Sequence, residues 1–110
     1  MTTVANQVQL LDVDACARFQ RLFEIVGRRW SVAIVIAAAS GDKRFGEFRD
    51  GIQGISERLL AERLRALTAN GILERFVDGE PPVVRYRLTA RGIDLVEQLG
   101  PVISWAERWN

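Results

Sequence analysis

The stretch Arg44-Phe45-Gly46-Glu47-Phe48-Arg49-Asp50-Gly51-Ile52-Gln53-Gly54-Ile55-Ser56-Glu57-Arg58-Leu59-Leu60-Ala61-Glu62-Arg63-Leu64-Arg65-Ala66-Leu67 decides the fold. Phe45, Phe48 and Ile52 lie on one face of a short helix over about 45–51. A glycine-containing turn follows, and Ser56 opens a longer helix over 57–70, whose core face carries Leu60, Leu64 and Leu67. Two helices joined in this way outline a helix-turn-helix, whose second helix can enter the DNA major groove.

The sequence on either side extends the pattern. Asn70-Gly71 supplies the left-handed residue that ends a helix. Ile72–Val77 and Val83–Leu88 read as strands around the turn Asp78-Gly79-Glu80-Pro81-Pro82. A helix-turn-helix followed at once by a hairpin is a winged helix. The expected class is therefore α+β, mostly α, a winged helix-turn-helix with a two-stranded wing. Upstream, Asp14 is the expected N-cap of a helix in which Phe19, Leu22, Phe23 and Val26 recur and which Gly27 ends. Trp30–Ala39 is apolar on nearly every side. Its β-branched residues would also suit a strand, but its length, its alanines and its position favour a buried helix. Thr89 is the expected cap of the last helix, with Ile93, Val96 and Leu99 as its apolar stripe. Gly100-Pro101 should break or kink it before Val102, Ile103, Trp105, Ala106 and Trp109 resume the pattern. The domain plan is an arm over 1–13 and one domain over 14–110. Within it, the helix-turn-helix spans about 45–70, the wing about 72–88 and the C-terminal helix about 89–109.

Composition narrows the chemistry. The 110 residues are 48% hydrophobic and 26% charged, with a net charge of +1, as expected of an ordinary globular domain. There is no histidine, a single cysteine, Cys16, and a single lysine, Lys43. Histidine-based catalytic triads and dyads, histidine-ligated metals, an internal disulfide and a lysine-bearing phosphate loop are all excluded. The expected protein is not an enzyme and needs no cofactor. The longest apolar run is too short for a bilayer, and the N-terminus lacks the features of a signal peptide, so a cytoplasmic location and no membrane partner are expected.

If Leu60, Leu64 and Leu67 face inward, Glu57, Arg58, Ala61, Glu62 and Arg65 face outward. Arg58 and Arg65 suit phosphates or guanine edges, Ala61 suits a thymine methyl, and Glu62 suits a cytosine amine. Ser56 caps the helix and lies where an anion is favoured. Arg44 before the short helix, and Arg75 and Arg85 in the wing, are further phosphate candidates. An ordinary solvated face with Glu62–Arg58 and Glu62–Arg65 pairs is the competing account. Cys16 near a helix start suits a redox or electrophile sensor, because a helix N-terminus favours thiolate, although Asp14 opposes it. Service as a small buried hydrophobe is the favoured reading of a lone cysteine. Phe19, Phe23, Trp30, Trp105 and Trp109 suit either packing, at the core or between subunits, or a pocket for a small hydrophobic effector. Packing is favoured.

Together, Gly27-Arg28-Arg29-Trp30, Arg44-Phe45-Gly46-Glu47-Phe48, Gly54-Ile55-Ser56, Arg63-Leu64-Arg65-Ala66-Leu67, Gly71-Ile72-Leu73, Pro81-Pro82 and Tyr86-Arg87-Leu88-Thr89-Ala90-Arg91-Gly92 resemble the HxlR-type regulators of the MarR-like group. The likeness runs from Cys16 to Trp109. It implies a homodimeric transcription regulator with terminal dimerisation helices, a double-stranded operator between its wings, and repression more than activation. It also implies a thiol or small-molecule response, since many members carry a cysteine at the position of Cys16. Ala61 stands where the family usually has threonine, Ala17 where it has proline, and Val83-Val84-Arg85 shifts the wing's positive charge. A winged-helix interaction or ligand-binding module without DNA binding is the alternative.

Overall fold

Leu60, Leu64 and Leu67 are fully buried, and they anchor a core built by helices on either side of them. The computed structural model describes residues 12–110, so nearly all of the expected arm lies outside the described residues. The elements are α1 (Val13–Val26), α2 (Ser31–Ala39), α3 (Phe45–Gly51), α4 (Glu57–Ala69), β1 (Leu73–Asp78), β2 (Val83–Leu88) and α5 (Ala90–Arg108). Ile34, Val35 and Ala38 of α2, Phe48 of α3, Ile52 and Ile55 of the turn, and Ile72 and Leu73 complete the core. No helix among the described residues is long and apolar enough to cross a membrane.

Several boundaries differ from expectation, each for a local reason. The N-cap of α1 is Asp12, not Asp14: its carboxylate accepts from the Ala15 backbone N–H, and Val13 is already helical. Trp30 does not begin α2. It precedes the helix with φ 78°, a left-handed conformation that costs a bulky residue roughly 1 kcal/mol or more. The first strand starts at Leu73 because the Ile72 N–H turns back to the Leu67 carbonyl at 3.0 Å, while Gly71 N–H reaches Thr68 at 3.1 Å. With Gly71 at φ 73°, these two bonds form the paired helix closure that Asn70-Gly71 forecast.

Two larger expectations are corrected. α2 is central but not buried all round: Ile36 is 40% exposed, and only Ser31, Ile34, Val35 and Ala38 are buried. α5 is not broken at Gly100-Pro101, and it continues to Arg108 with Pro101 inside it. Glu97, Gly100 and Pro101 are all exposed, so solvent can satisfy the carbonyl that loses its donor at proline.

The wing is an antiparallel pair in which Leu73 faces Leu88, Arg75 faces Tyr86 and Phe76 faces Arg85. Lys43 adds a backbone bridge, donating to Tyr86 at 2.9 Å and accepting from it at 2.8 Å. The Tyr86 ring meets Phe48 edge-on at 6.2 Å, which ties the wing to α3. Thr89 caps α5 as expected, accepting from Gly92 N–H at 3.0 Å, and its hydroxyl donates back to the Gly71 carbonyl at 2.5 Å.

Gly92 makes this joint possible. It is buried, and a Cβ there would collide with the Ile72 carbonyl oxygen and lie 3.0 Å from Leu88 Cδ2. Gly92→Ala is expected to destabilise the fold by roughly 2–3 kcal/mol, read as a lower denaturation midpoint. A loss below about 0.5 kcal/mol would show that α5 shifts freely away from the end of α4.

Candidate nucleic-acid interface

Burial of the leucine row on α4 forces the opposite side into solvent. Glu57, Arg58, Glu62 and Arg65 are exposed and Ala61 is half-buried, so the expected outer strip exists. Ser56 caps α4 by accepting from Leu59 N–H at 3.1 Å. Arg44 precedes α3, where its backbone N–H donates to Glu47 Oε1 at 2.9 Å and its guanidinium Nε lies 3.3 Å from the same oxygen.

The charges on this surface are partly matched. Arg58 lies 3.6 Å from Glu62, as in the solvated-face account, but Glu62's second neighbour is Arg63 at 3.9 Å and not Arg65. Glu57 is taken by Arg49 at 3.0 Å, which also holds Asp50 at 3.2 Å. Those two bonds keep Arg49 still more firmly protonated, Glu57 contributing most. Both acids of this outer face are therefore engaged, whereas Arg65 has no ion pair with any described residue. Exposed pairs of this kind are weak and screened by salt, so a phosphate can compete for their arginines.

In the wing, cross-strand partners share a face. Arg75 sits with Tyr86 and Arg85 with Phe76, so the two candidates lie on opposite faces of the ribbon. Arg87 lies 4.1 Å over the Phe76 ring and pairs with Glu74 at 3.0 Å, a structural employment.

The aromatic candidates separate into three places. Phe19 and Phe23 stack with centroids 5.8 Å apart. With Leu22, Val26, Val32, Leu95, Leu99 and Val102 they line a cleft of 190 Å³ between α1, α2 and α5. Trp105 and Trp109 lie outside that cleft on α5, 57% and 75% exposed. Trp30 is elsewhere, packed at the edge of the core against Gly54, and it does not line the cleft beside Phe19 and Phe23. Cys16 is exposed beside Phe19 and Gln20, which overturns its reading as a buried hydrophobe within one subunit.

Two structural arginines escaped the sequence reading. Arg49 carries no role there, because the eight-residue gap to Glu57 offers no helical spacing to reveal the pair. Arg63 donates from Nε to the Arg29 carbonyl at 2.9 Å with its side chain only 12% exposed. A signal for it was present: Arg63 stands three residues after Leu60 and four before Leu67, on the flank of the buried face.

A short helix, a turn, an outward-facing second helix and a hairpin wing define a winged helix-turn-helix protein. The model of the HxlR-like helix-turn-helix family matches residues 25–110, and the chain belongs to that family. It is 36% identical over 97 residues to the HTH-type transcriptional regulator YvaP of Bacillus subtilis, covering 87% of this chain and 90% of YvaP. It is 38% identical over 95 residues to YodB of the same organism, covering 86% and 85%. The reduced form of YodB superposes with a TM-score of 0.77 at 33% identity over 89% of this chain and 93% of that one. YodB structures also exist after diamide treatment and with quinone bound. A MarR-family regulator from Enterococcus faecalis superposes with a TM-score of 0.78 at 27% identity, covering 90% and 89%. The protein is a helix-turn-helix transcriptional regulator.

The helix cap that presents Arg44 should be visible in solution. The Arg44 backbone N–H, and then its side chain, hold the Glu47 carboxyl below the ordinary carboxylate range, with Arg85 adding to the effect. Because the folded-state value is depressed, the cap is intact at neutral pH and is lost as pH falls through that value. NMR titration of the Glu47 carboxyl is expected to show this depression, and Arg44→Ala should reduce but not abolish it. An ordinary titration would mean that the cap does not form.

Proposed function

We propose that the protein binds a double-stranded, palindromic operator as a homodimer and acts as a repressor. The observation that carries this is the state of the α4 outer face: it is open to solvent, its two acids are held by arginines, and Arg65 has no ion pair with any described residue. Arg65 makes the main contact from α4, to a phosphate or a guanine edge. Arg58 joins once phosphate displaces Glu62, Ala61 packs on a thymine methyl, and Ser56 orients the helix start. Arg44, Arg75 and Arg85 touch the flanking backbone. Two such helices, one from each subunit, enter successive major grooves roughly 34 Å apart.

The dimer reading rests on α1 and α5. Phe19, Phe23, Val102, Trp105 and Trp109 leave a large apolar surface uncovered in one chain, which suits contact between subunits. The thiol reading rests on the exposure of Cys16, on α1 beside Phe19, and on its relation to YodB, whose oxidant-treated and quinone-bound forms are known. Modification of Cys16 would act on α1 and thereby on the spacing of the two recognition helices. The apolar cleft beside Phe19 and Phe23 is the candidate seat of a small hydrophobic effector.

Fluorescence anisotropy on the DNA upstream of the gene, across a salt series, tests the main reading. Specific binding with a steep salt slope is expected, and Arg65→Ala should weaken it by about 1–3 kcal/mol with the circular dichroism spectrum unchanged. Unaltered affinity in Arg65→Ala would remove α4 as the reading element. Addition of diamide or benzoquinone should release the DNA from the natural protein and leave Cys16→Ser bound. An equal response in both would end the role of Cys16.

A further inference from the structure

We infer that Arg28, in the connection between α1 and α2, is a DNA-backbone contact, and that Arg63 positions it. This rests on the DNA-binding reading above and adds a site outside both helices of the helix-turn-helix.

The connection is locked from several sides. Ser31 N–H donates to the Arg28 carbonyl at 3.0 Å, which closes a tight turn. The next carbonyl, that of Arg29, accepts from Arg63 Nε at 2.9 Å, across 34 residues of sequence. An arginine whose side chain is only 12% exposed and bonded to a main-chain carbonyl of a distant segment acts as a strut between the two. Trp30 supplies a second tie. Its indole packs over Gly54 in the turn between α3 and α4, and the Arg29 guanidinium lies 4.8 Å over the same ring. These ties give the left-handed conformation of Trp30 its physical purpose, because they pin the connection to the recognition helix.

The result is a second basic edge beside α4. Arg28 is exposed and has no ion pair with any described residue. It shares an open groove of 480 Å³ with Glu62, Arg65, Ala66 and Ala69. The groove therefore has two arginines without an ion pair among the described residues, alanines that permit close approach, and one acid already facing Arg58 and Arg63. An anionic chain laid along α4 fits it. Because Arg28 projects from a flanking connection and not from the outer strip, its partner is phosphate and not a base edge.

The test uses the full chain and two 30-base-pair duplexes, one selected from a random library by the natural protein and one of mixed sequence. Anisotropy across a salt series is expected to show that Arg28→Ala weakens both complexes by the same factor. It should flatten the salt slope by about one per subunit and keep the preference between duplexes. Arg28→Lys should retain the slope. In an Arg63→Met background Arg28→Ala should cost less than in the natural protein, a coupling that a purely structural Arg63 would not show; if that background does not fold, the Arg28 variants decide alone. Unchanged affinity and slope in Arg28→Ala, with Arg65→Ala impaired, would overturn the inference. Weakening confined to the selected duplex would make Arg28 a base reader and overturn it as well. Absence of DNA binding by the natural protein would overturn the operator-binding reading and this site with it.

Discussion

Burial of Leu60, Leu64 and Leu67 against Ile34, Val35 and Phe48 is the constraint on which the rest of this molecule depends. Three leucines at helical spacing give α4 a single apolar row, and hydrophobic burial leaves only one rotation of the helix about its axis. Every outward-facing property follows from that rotation. Arg58, Glu62 and Arg65 meet solvent together because the leucines cannot, and Arg63, on the flank, is drawn inward far enough to bond a carbonyl of another segment. The same rotation sends the end of α4 toward Gly92, where the chain passes too close for any side chain.

Charge on the exposed surface is arranged by pairing more than by excess. A net charge of +1 would give little general attraction to DNA. Arg49 covers Glu57, Arg58 and Arg63 cover Glu62, and Arg44 covers Glu47, so the acids near the outer face of α4 are largely neutralised. What remains is local: Arg65 on the helix and Arg28 beside it stand without acidic partners among the described residues. A surface built in this way attracts phosphate only at short range, which favours a docked geometry over diffuse adhesion.

The terminal helices follow a different logic. The first half of α5 packs on the core through Gly92, Leu95 and Val96, whereas Val102, Trp105 and Trp109 remain exposed. The molecule is accordingly elongated, 55 × 29 × 25 Å, with more apolar surface than one chain covers. Cys16 lies on the first of these helices, exposed and next to Phe19.

The linear pattern by itself determined the element order and which face of α4 turns outward. Leucine spacing, the caps Ser56 and Thr89 and the closure at Asn70-Gly71 are interactions among residues near in sequence, and local spacing reports them faithfully. It misjudged Asp14, because two carboxylates two residues apart offer the same cap, and Pro101, because tolerance of a lost hydrogen bond depends on exposure. Only the tertiary structure decided the long-range matters. Lys43 joins the wing, Arg63 holds the Arg29 carbonyl, Arg49 claims Glu57, and the aromatics separate into core, cleft and open surface. These contacts join residues that no helical or strand period relates. They exist because packing of the leucine row brings distant segments together, and the charge pairs and close approaches form after that packing is set.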